Sequence, residues 1–478
     1  MKLLVATTLA FSLLTVPAEA ATAPTIAWGP CSDQVLAAGG AQCGTLDVPM
    51  DPADPSSRSI TLAVSRVQHK TAVSKGTVIA VADPYTGSGY QSSLLGARMA
   101  GGDSFDWVGF ARRGQTPSVP ALACTPPDHF AFNRPSYIAT PITEPQWTAR
   151  VKNYADACAA NQPSLLEHMK TVDTAADMDL IRAAVGADRV SLFAQAYGTY
   201  TAEVYASRYS SRVQRMVLDT AIDPARVWYQ AGNLDQDQPM QRDLELWFDF
   251  LASQDSVYHL GTTKAAVQQV WYDQLRKVSL EPADGVIGYS EWIDLFLFTA
   301  FTRQTWELLG GAFSNWVHNG DGATLRALFS QFYLVGADNT YGTLLAQMCT
   351  DAPWPASWTQ WRNDTWSVFP QARDTAWGNT WFTAPCLYWH AKPGTPVAVG
   401  GTASTLLVTE SLNVVASVDS SLEVRSRFPN SALVTVPGGI SFANALTGNA
   451  CVDGTIATFL AAGTLPTRKP GRQPDATC

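Results

Sequence analysis

The stretch SLFAQAYGTY, residues 191–200, decides how this chain is read. The run that enters it, RVSLF (189–193), is strand-like, and the run that leaves it, TYTAEVYASRY (199–209), has helical spacing. Between a strand and a helix placed this way, a nucleophile elbow reads Gly-x-Ser-x-Gly, with serine at the apex of a sharp turn. Here the turn reads Ala194-Gln195-Ala196-Tyr197-Gly198. The architecture of an elbow is present, and its apex carries a methyl group.

Working outward, ITLAVSRV (60–67), GTVIAVA (76–82), FDWVGFA (105–111) and RMVLDT (215–220) are further β-rich runs bounded by turn residues. Helical patterns such as MDLIRAAVG (178–186) fall between them, and the alternation returns with STLLVTES (404–411), SALVTVPG (431–438) and CVDGTIATFLAAG (451–463). Strands alternating with helices predict an α/β fold, a mainly parallel twisted sheet flanked by helices. Residues 226–390 differ: LELWFDFLASQ, EWIDLFLFTAF and ATLRALFSQFYL have apolar residues at helical spacing, and thirteen of the sixteen tryptophans lie there. The expected organisation is a core over 21–225 and 391–478, interrupted by a large helical, Trp-rich cap over 226–390. Most of these tryptophans are expected to be packing, and a cap this aromatic predicts a pocket for a large, flat or apolar ligand.

Residues 1–20 form a targeting segment: Lys2, the apolar run LLVATTLAFSLLTV, then Ala18-Glu19-Ala20 as a small-x-small cleavage site. No later run is long and apolar enough to span a bilayer; the nearest, IDLFLFTAF (293–301), is short and holds Asp294. The expectation is a secreted, soluble protein without stable membrane insertion. A net charge of −9 with no basic block argues against nucleic acid as a partner. The eight cysteines, Cys31, Cys43, Cys124, Cys158, Cys349, Cys386, Cys451 and Cys478, form no CxxC pair, so structural disulfides are expected and a zinc site is not. Pairing between sequence neighbours is the simplest of the roughly 100 connectivities open to them. No cofactor is called for.

The order of these pieces resembles the secreted tripeptidyl-aminopeptidase-like branch of the α/β-hydrolases. The resemblance runs through WGPCS (28–32), QCGTLDVPMDPADP (42–55), FDWVGFARRGQTPS (105–118), AYGTYTAEVYASRYSSRVQRMVLDTAIDP (196–224), MCTDAPWP (348–355), CLYW (386–389) and NACVDGTIATFLAAGTLP (449–466). It implies an α/β-hydrolase fold with a cap. Acyl transfer there needs a Ser nucleophile, an Asp orienter and a His base in that chain order, with backbone donors for the oxyanion. At the family's serine, aspartate and histidine positions this chain has Ala196, Asn413 and Ile440, and the glycine-rich oxyanion loop reads Asp83-Pro84-Tyr85-Thr86. Ala111 also stands where the family pattern has an aspartate. Loss of a triad member costs about 10⁴ to 10⁶ in rate.

These departures lead to the expectation of a triad-less, non-hydrolytic enzyme. The reaction expected is a cyclisation forming a C–C bond by intramolecular Michael-type addition, or an isomerisation, on a large aromatic or apolar secondary metabolite. The resemblance extends to triad-less cyclases of natural-product and antibiotic assembly, anthraquinone-fused enediynes included. Tyr85, Gln195, Tyr197, Asn413 and Ser441 are the candidate catalytic residues, as donors or proton shuttles beside the altered machinery. The alternative is an inactive pseudo-hydrolase that binds or sequesters a metabolite or peptide, with Gln195 and Asn413 as turn-keepers. A third reading is a serine peptidase whose nucleophile has been replaced.

Overall fold

The computed structural model describes residues 24–85, 87–124, 132–333 and 338–478; the targeting segment and His129 lie outside the described residues. Ten strands form one sheet: β1 Gly29–Pro30, β2 Gln42–Pro49, β3 Ser59–Val67, β4 Thr77–Val81, β5 Asp106–Phe110, β6 Val190–Gln195, β7 Val213–Asp219, β8 Thr405–Glu410, β9 Ser431–Val436 and β10 Ala476–Thr477. Their order is β1-β2-β3-β5-β4-β6-β7-β8-β9-β10. The first three strands meet their neighbours antiparallel, and every pair from β5 onward is parallel. Central strands such as VSLFAQ, TLLVTE and SALVTV are apolar-rich and almost wholly buried, as parallel strands covered on both faces must be.

The chain leaves the sheet after β7 and returns at β8, and the long elements between are helices, including Asp235–Ser253, Tyr289–Phe301, Gly322–Tyr333 and Asn339–Asp351. Their tryptophans pack on one another. Trp247 stacks on Phe296 at 5.4 Å and donates its indole N–H to the Trp306 carbonyl at 3.1 Å. Trp377, Trp381 and Trp358 form a second stack, with centroid distances of 5.7 and 4.6 Å.

All four disulfides join sequence neighbours: Cys31–Cys43, Cys124–Cys158, Cys349–Cys386 and Cys451–Cys478. Cys349–Cys386 closes 37 residues and ties the helix Asn339–Asp351 to the turn Ala384–Tyr388. Replacing both cysteines by alanine is expected to cost about 2–4 kcal/mol, mainly by freeing the unfolded chain. Urea unfolding at neutral pH measures it; an unmoved midpoint would refute the estimate. No described helix is long and apolar enough to cross a membrane.

Candidate functional site

The elbow sits at the C-terminal edge of the sheet, where β6 ends and the helix Gly198–Arg208 begins. Ala196 at its apex has φ 46°, the left-handed region that costs a residue with a side chain about 1 kcal/mol or more. Its N–H donates to the Asp219 carbonyl at 2.9 Å, and its carbonyl accepts from Thr199 Oγ1 at 2.7 Å, which holds the turn. Gly198 permits the close approach: a Cβ there would lie 2.5 Å from the Val81 carbonyl oxygen and 2.6 Å from that of Ala82. The strained turn is therefore kept around a residue with no nucleophile.

Next to the elbow, the loop after β4 is closed by its own side chain, Asp83 Oδ1 accepting from the Tyr85 N–H at 2.9 Å. Burial pushes the Asp83 carboxyl up to about 7, against the opposing pull of the Tyr85 N–H and Arg112. The phenols of Tyr85 and Tyr197 are both raised by burial and stay protonated at neutral pH. Tyr197 accepts from Gln236 Nε2 at 2.7 Å, which leaves its own O–H to donate.

Above these two tyrosines lies a pocket of about 660 Å³, of which only about 60 Å³ admits the centre of a water-sized sphere. Phe301, Phe382 and Phe442 supply much of its apolar wall, and Asp294, Gln236 and Asn379 its polar points. No tryptophan lines it, so the Trp-rich segment packs the protein and tyrosine and phenylalanine shape the pocket.

The pocket's polar end rests on a buried charge cluster. Arg134 donates from Nε and from its backbone N–H to Glu291 Oε1, at 3.1 and 2.9 Å, and from Nη1 to the Tyr137 hydroxyl at 2.8 Å. Tyr137 in turn donates to Asp294 Oδ2 at 2.7 Å, and Arg134 Nη2 lies 2.7 Å from the same oxygen. Burial raises the Asp294 carboxyl, and Arg134 pulls it back. None of Arg134, Tyr137, Asp294 or Asn379 was among the candidates from sequence. The available signal was Asp294 itself, a carboxylate in the apolar helix run IDLFLFTAF, where burial is costly unless a partner is supplied.

Of the five expected residues, Tyr85 and Tyr197 line this pocket, and Gln195, Asn413 and Ser441 do not. Asn413 is occupied as a turn-keeper: Oδ1 accepts from the N–H groups of Val415 and Ala416, and Nδ2 donates to Thr220 Oγ1 and the Ser441 carbonyl. Gln195 points along the sheet edge, its Nε2 at 3.5 Å from both Asp219 Oδ2 and the Ala445 carbonyl. Ser441 opens on a different cleft. Ile440, expected at the family's histidine position, is buried. His69 pairs with Asp106, His390 with Asp156, and the rings of His259 and His318 lie 6.5 Å apart; none of these lines the pocket.

A mainly parallel sheet, a strand-to-helix elbow at its C-terminal edge and a helical segment over that edge define an α/β-hydrolase fold. Residues 103–290 match the family profile described as alpha/beta hydrolase fold, and residues 374–478 the profile described as TAP-like protein. The chain is 32% identical over 459 residues to the tripeptidyl aminopeptidase of Streptomyces lividans, covering 91% of this chain and 84% of that one. It is 25% identical to the serine protease Hip1 of Mycobacterium tuberculosis, over 92% of this chain and 89% of that protein. Among solved structures, esterase E22 covers 88% of this chain and 100% of its own at 10% identity, with a TM-score of 0.41. The chain belongs to the tripeptidyl-aminopeptidase-like family of α/β-hydrolases.

These relatives overturn the expected function. Proteins named as a peptidase and a protease, aligned along nearly the whole chain, point to peptidase or hydrolase work. They support neither the cyclase nor the metabolite-sequestering alternative. The expectation rested on Ala196, Asn413 and Ile440 as signs of a new reaction, and the relatives do not support that step.

Proposed function

We propose that the protein is an exported hydrolase of the aminopeptidase type, its leader removed near Ala20, which seats the amino end of a short peptide in the elbow pocket and cleaves by direct attack of water. The observation that carries this reading is Asp294. It lines the pocket, and its Oδ1 has no hydrogen-bond donor among the described residues. With both carboxylates ionised, Glu291 and Asp294 against Arg134 leave the cluster one negative charge in excess. An ammonium group placed there gains a charge-assisted hydrogen bond in a site of low dielectric.

At the elbow, Ala196 offers no nucleophile, and Asn413 and Ile440, which stand outside the pocket lining, occupy the positions where the resemblance puts aspartate and histidine. In this reading no acyl-enzyme forms. Water adds to the scissile carbonyl, with the protonated Tyr85 and Tyr197 phenols facing the pocket as donors to the developing oxyanion; the C–N bond then breaks, and the proton given up by the water goes to the leaving amine nitrogen. Orientation and oxyanion stabilisation without a working triad are worth about 10³–10⁴ over the uncatalysed reaction. The protein is thus a slow hydrolase.

The test is release of p-nitroaniline from tripeptide anilides with free or acetylated amino ends, beside labelling with a fluorophosphonate. Expected are turnover above buffer without a burst, no labelling, and at least a tenfold preference for the free amine that Asp294→Asn removes. Absence of turnover over buffer across anilides and p-nitrophenyl esters would sink the reading.

A further inference from the structure

The two amide side chains that line the elbow pocket, Gln236 and Asn379, have their nitrogens committed to the protein. Gln236 Nε2 donates to the carbonyls of Ala231 and Val415 at 2.9 and 3.2 Å, besides the Tyr197 hydroxyl. Asn379 Nδ2 donates to the Asn233 carbonyl at 2.7 Å and to Asp237 Oδ1 at 3.0 Å. Exchanging nitrogen and oxygen in either amide would set oxygen against oxygen, so both orientations are determined. What remains on each is a carbonyl oxygen, Gln236 Oε1 and Asn379 Oδ1, with no donor among the described residues. Neither is sealed from solvent, as the unpartnered amide of Asn233 is. Asp294 Oδ1 is open in the same way: Asp294 keeps 9% of its side-chain surface, while Arg134 and Glu291 behind it keep none. The pocket thus offers three accessible acceptors, one of them charged, and no Lys, Arg or His lines it.

Three helices bring these acceptors to one space. Gln236 lies in the first turn of Asp235–Ser253, Asp294 in Tyr289–Phe301 and Asn379 in Ala376–Thr383. Gln236 and Asn379 are linked through Asp237, the chain neighbour of the first and the hydrogen-bond partner of the second. Asn379 and Asp294 are linked through Tyr137. A Cβ on Gly378 would lie 3.2 Å from Tyr137 Cε2, so glycine lets the third helix close on that ring, and the Tyr137 hydroxyl donates to Asp294 Oδ2.

We propose that the pocket selects a primary ammonium group, with Asp294, Gln236 and Asn379 as its acceptors, and rejects amino ends in which carbon replaces an N–H, those of proline and of N-methylated residues. The proposal rests on the seating of an amino end described above and specifies which amino ends are taken. A primary ammonium carries as many N–H donors as the pocket has open acceptors. The nitrogen of proline or an N-methylated residue keeps the charge but has one donor fewer. One acceptor then loses its water without gaining a partner, and that cost falls on binding. Gln236 and Asn379 are on this account specificity residues, and Asp237 is a positioning residue that acts through the Asn379 amide.

The test has two arms. In the first, the wild-type protein is titrated calorimetrically with leucine amide, N-methyl-leucine amide and N,N,N-trimethyl-leucine amide, which carry the same charge. Expected is a loss of about tenfold in affinity with the first methyl group and on the order of a hundredfold across the series. In Gln236→Met and Asn379→Leu the gap between leucine amide and its N-methyl form is expected to shrink to about threefold or less. Equal affinity for the three, tightest binding of the trimethyl form by the aromatic walls, or no binding of leucine amide overturns the proposal. A wild-type gap that neither variant narrows is steric and also overturns it. In the second arm, tripeptide anilides that begin with leucine, N-methyl-leucine and proline are compared. A preference of about tenfold or more for leucine supports the proposal. Hydrolysis that favours a free over an acetylated amino end but ignores methylation overturns it while the hydrolase reading stands. Stepwise loss of binding in the first arm, with no hydrolysis of any anilide, supports the proposal and refutes the hydrolase reading.

Discussion

Replacing Arg134 by leucine is expected to destabilise the protein by about 3–5 kcal/mol, because it leaves Glu291 and Asp294 buried without their cation. Arg134 and Glu291 have no side-chain exposure and Asp294 has 9%, so water is a poor substitute for the guanidinium. Breaking a buried pair costs more than the pair contributes net, since the desolvation already suffered by the survivors is no longer offset. The triple replacement Arg134→Met, Glu291→Leu and Asp294→Leu is expected to regain most of the lost stability. It should also abolish any preference for a free amino end. Urea unfolding at pH 7 checks the first statement, and a loss below about 1 kcal/mol would refute it. The triple variant separates the two roles: stability restored with amine preference gone means the cluster serves binding and is not needed for folding.

The second large effect is a stability that falls as pH rises from 4 to 8. Burial pushes Asp83, Asp219 and Asp237 up to about 7, from an ordinary value of 3.8. Asp351 and Asp243 are raised to about 6, burial again being the main cause. A carboxyl whose folded pKa lies above its unfolded one binds its proton more tightly in the folded state. Its contribution to stability is complete below the unfolded value, declines between 4 and 7, and is gone above the folded value. Five buried carboxyls raised in this way add stability at low pH that is lost on the way to pH 8. The Tm is expected to be higher at pH 5 than at pH 8 by several degrees. Asp237→Asn is expected to flatten the slope, since among the described residues Asp237 Oδ2 has no partner and its Oδ1 only the Asn379 amide at 3.0 Å. A Tm that is level or rises from pH 5 to pH 8 would contradict these protonation states.

The effects share one cause, the dryness of the space between sheet and helices. There burial raises the carboxyls, Arg134 is set against two of them, and Asp294 both lines the elbow pocket and has an oxygen with no donor among the described residues.

The α/β alternation, the elbow with Ala196 at its apex and the neighbour-paired cysteines were all legible in the sequence, because each is set by residues close together in the chain. A strand run, a turn that tolerates φ > 0 and a short covalent loop are local objects, and local patterns report them. The family was legible too, from ordered motifs that run along most of the chain. What the site does with these parts was not. Arg134 meets Glu291 and Asp294 across 157 and 160 residues, and Asp237 meets Asn379 across 142, so no window of sequence contains both sides of either contact. Only the packed structure decides which polar atoms find partners and which are left facing an empty space.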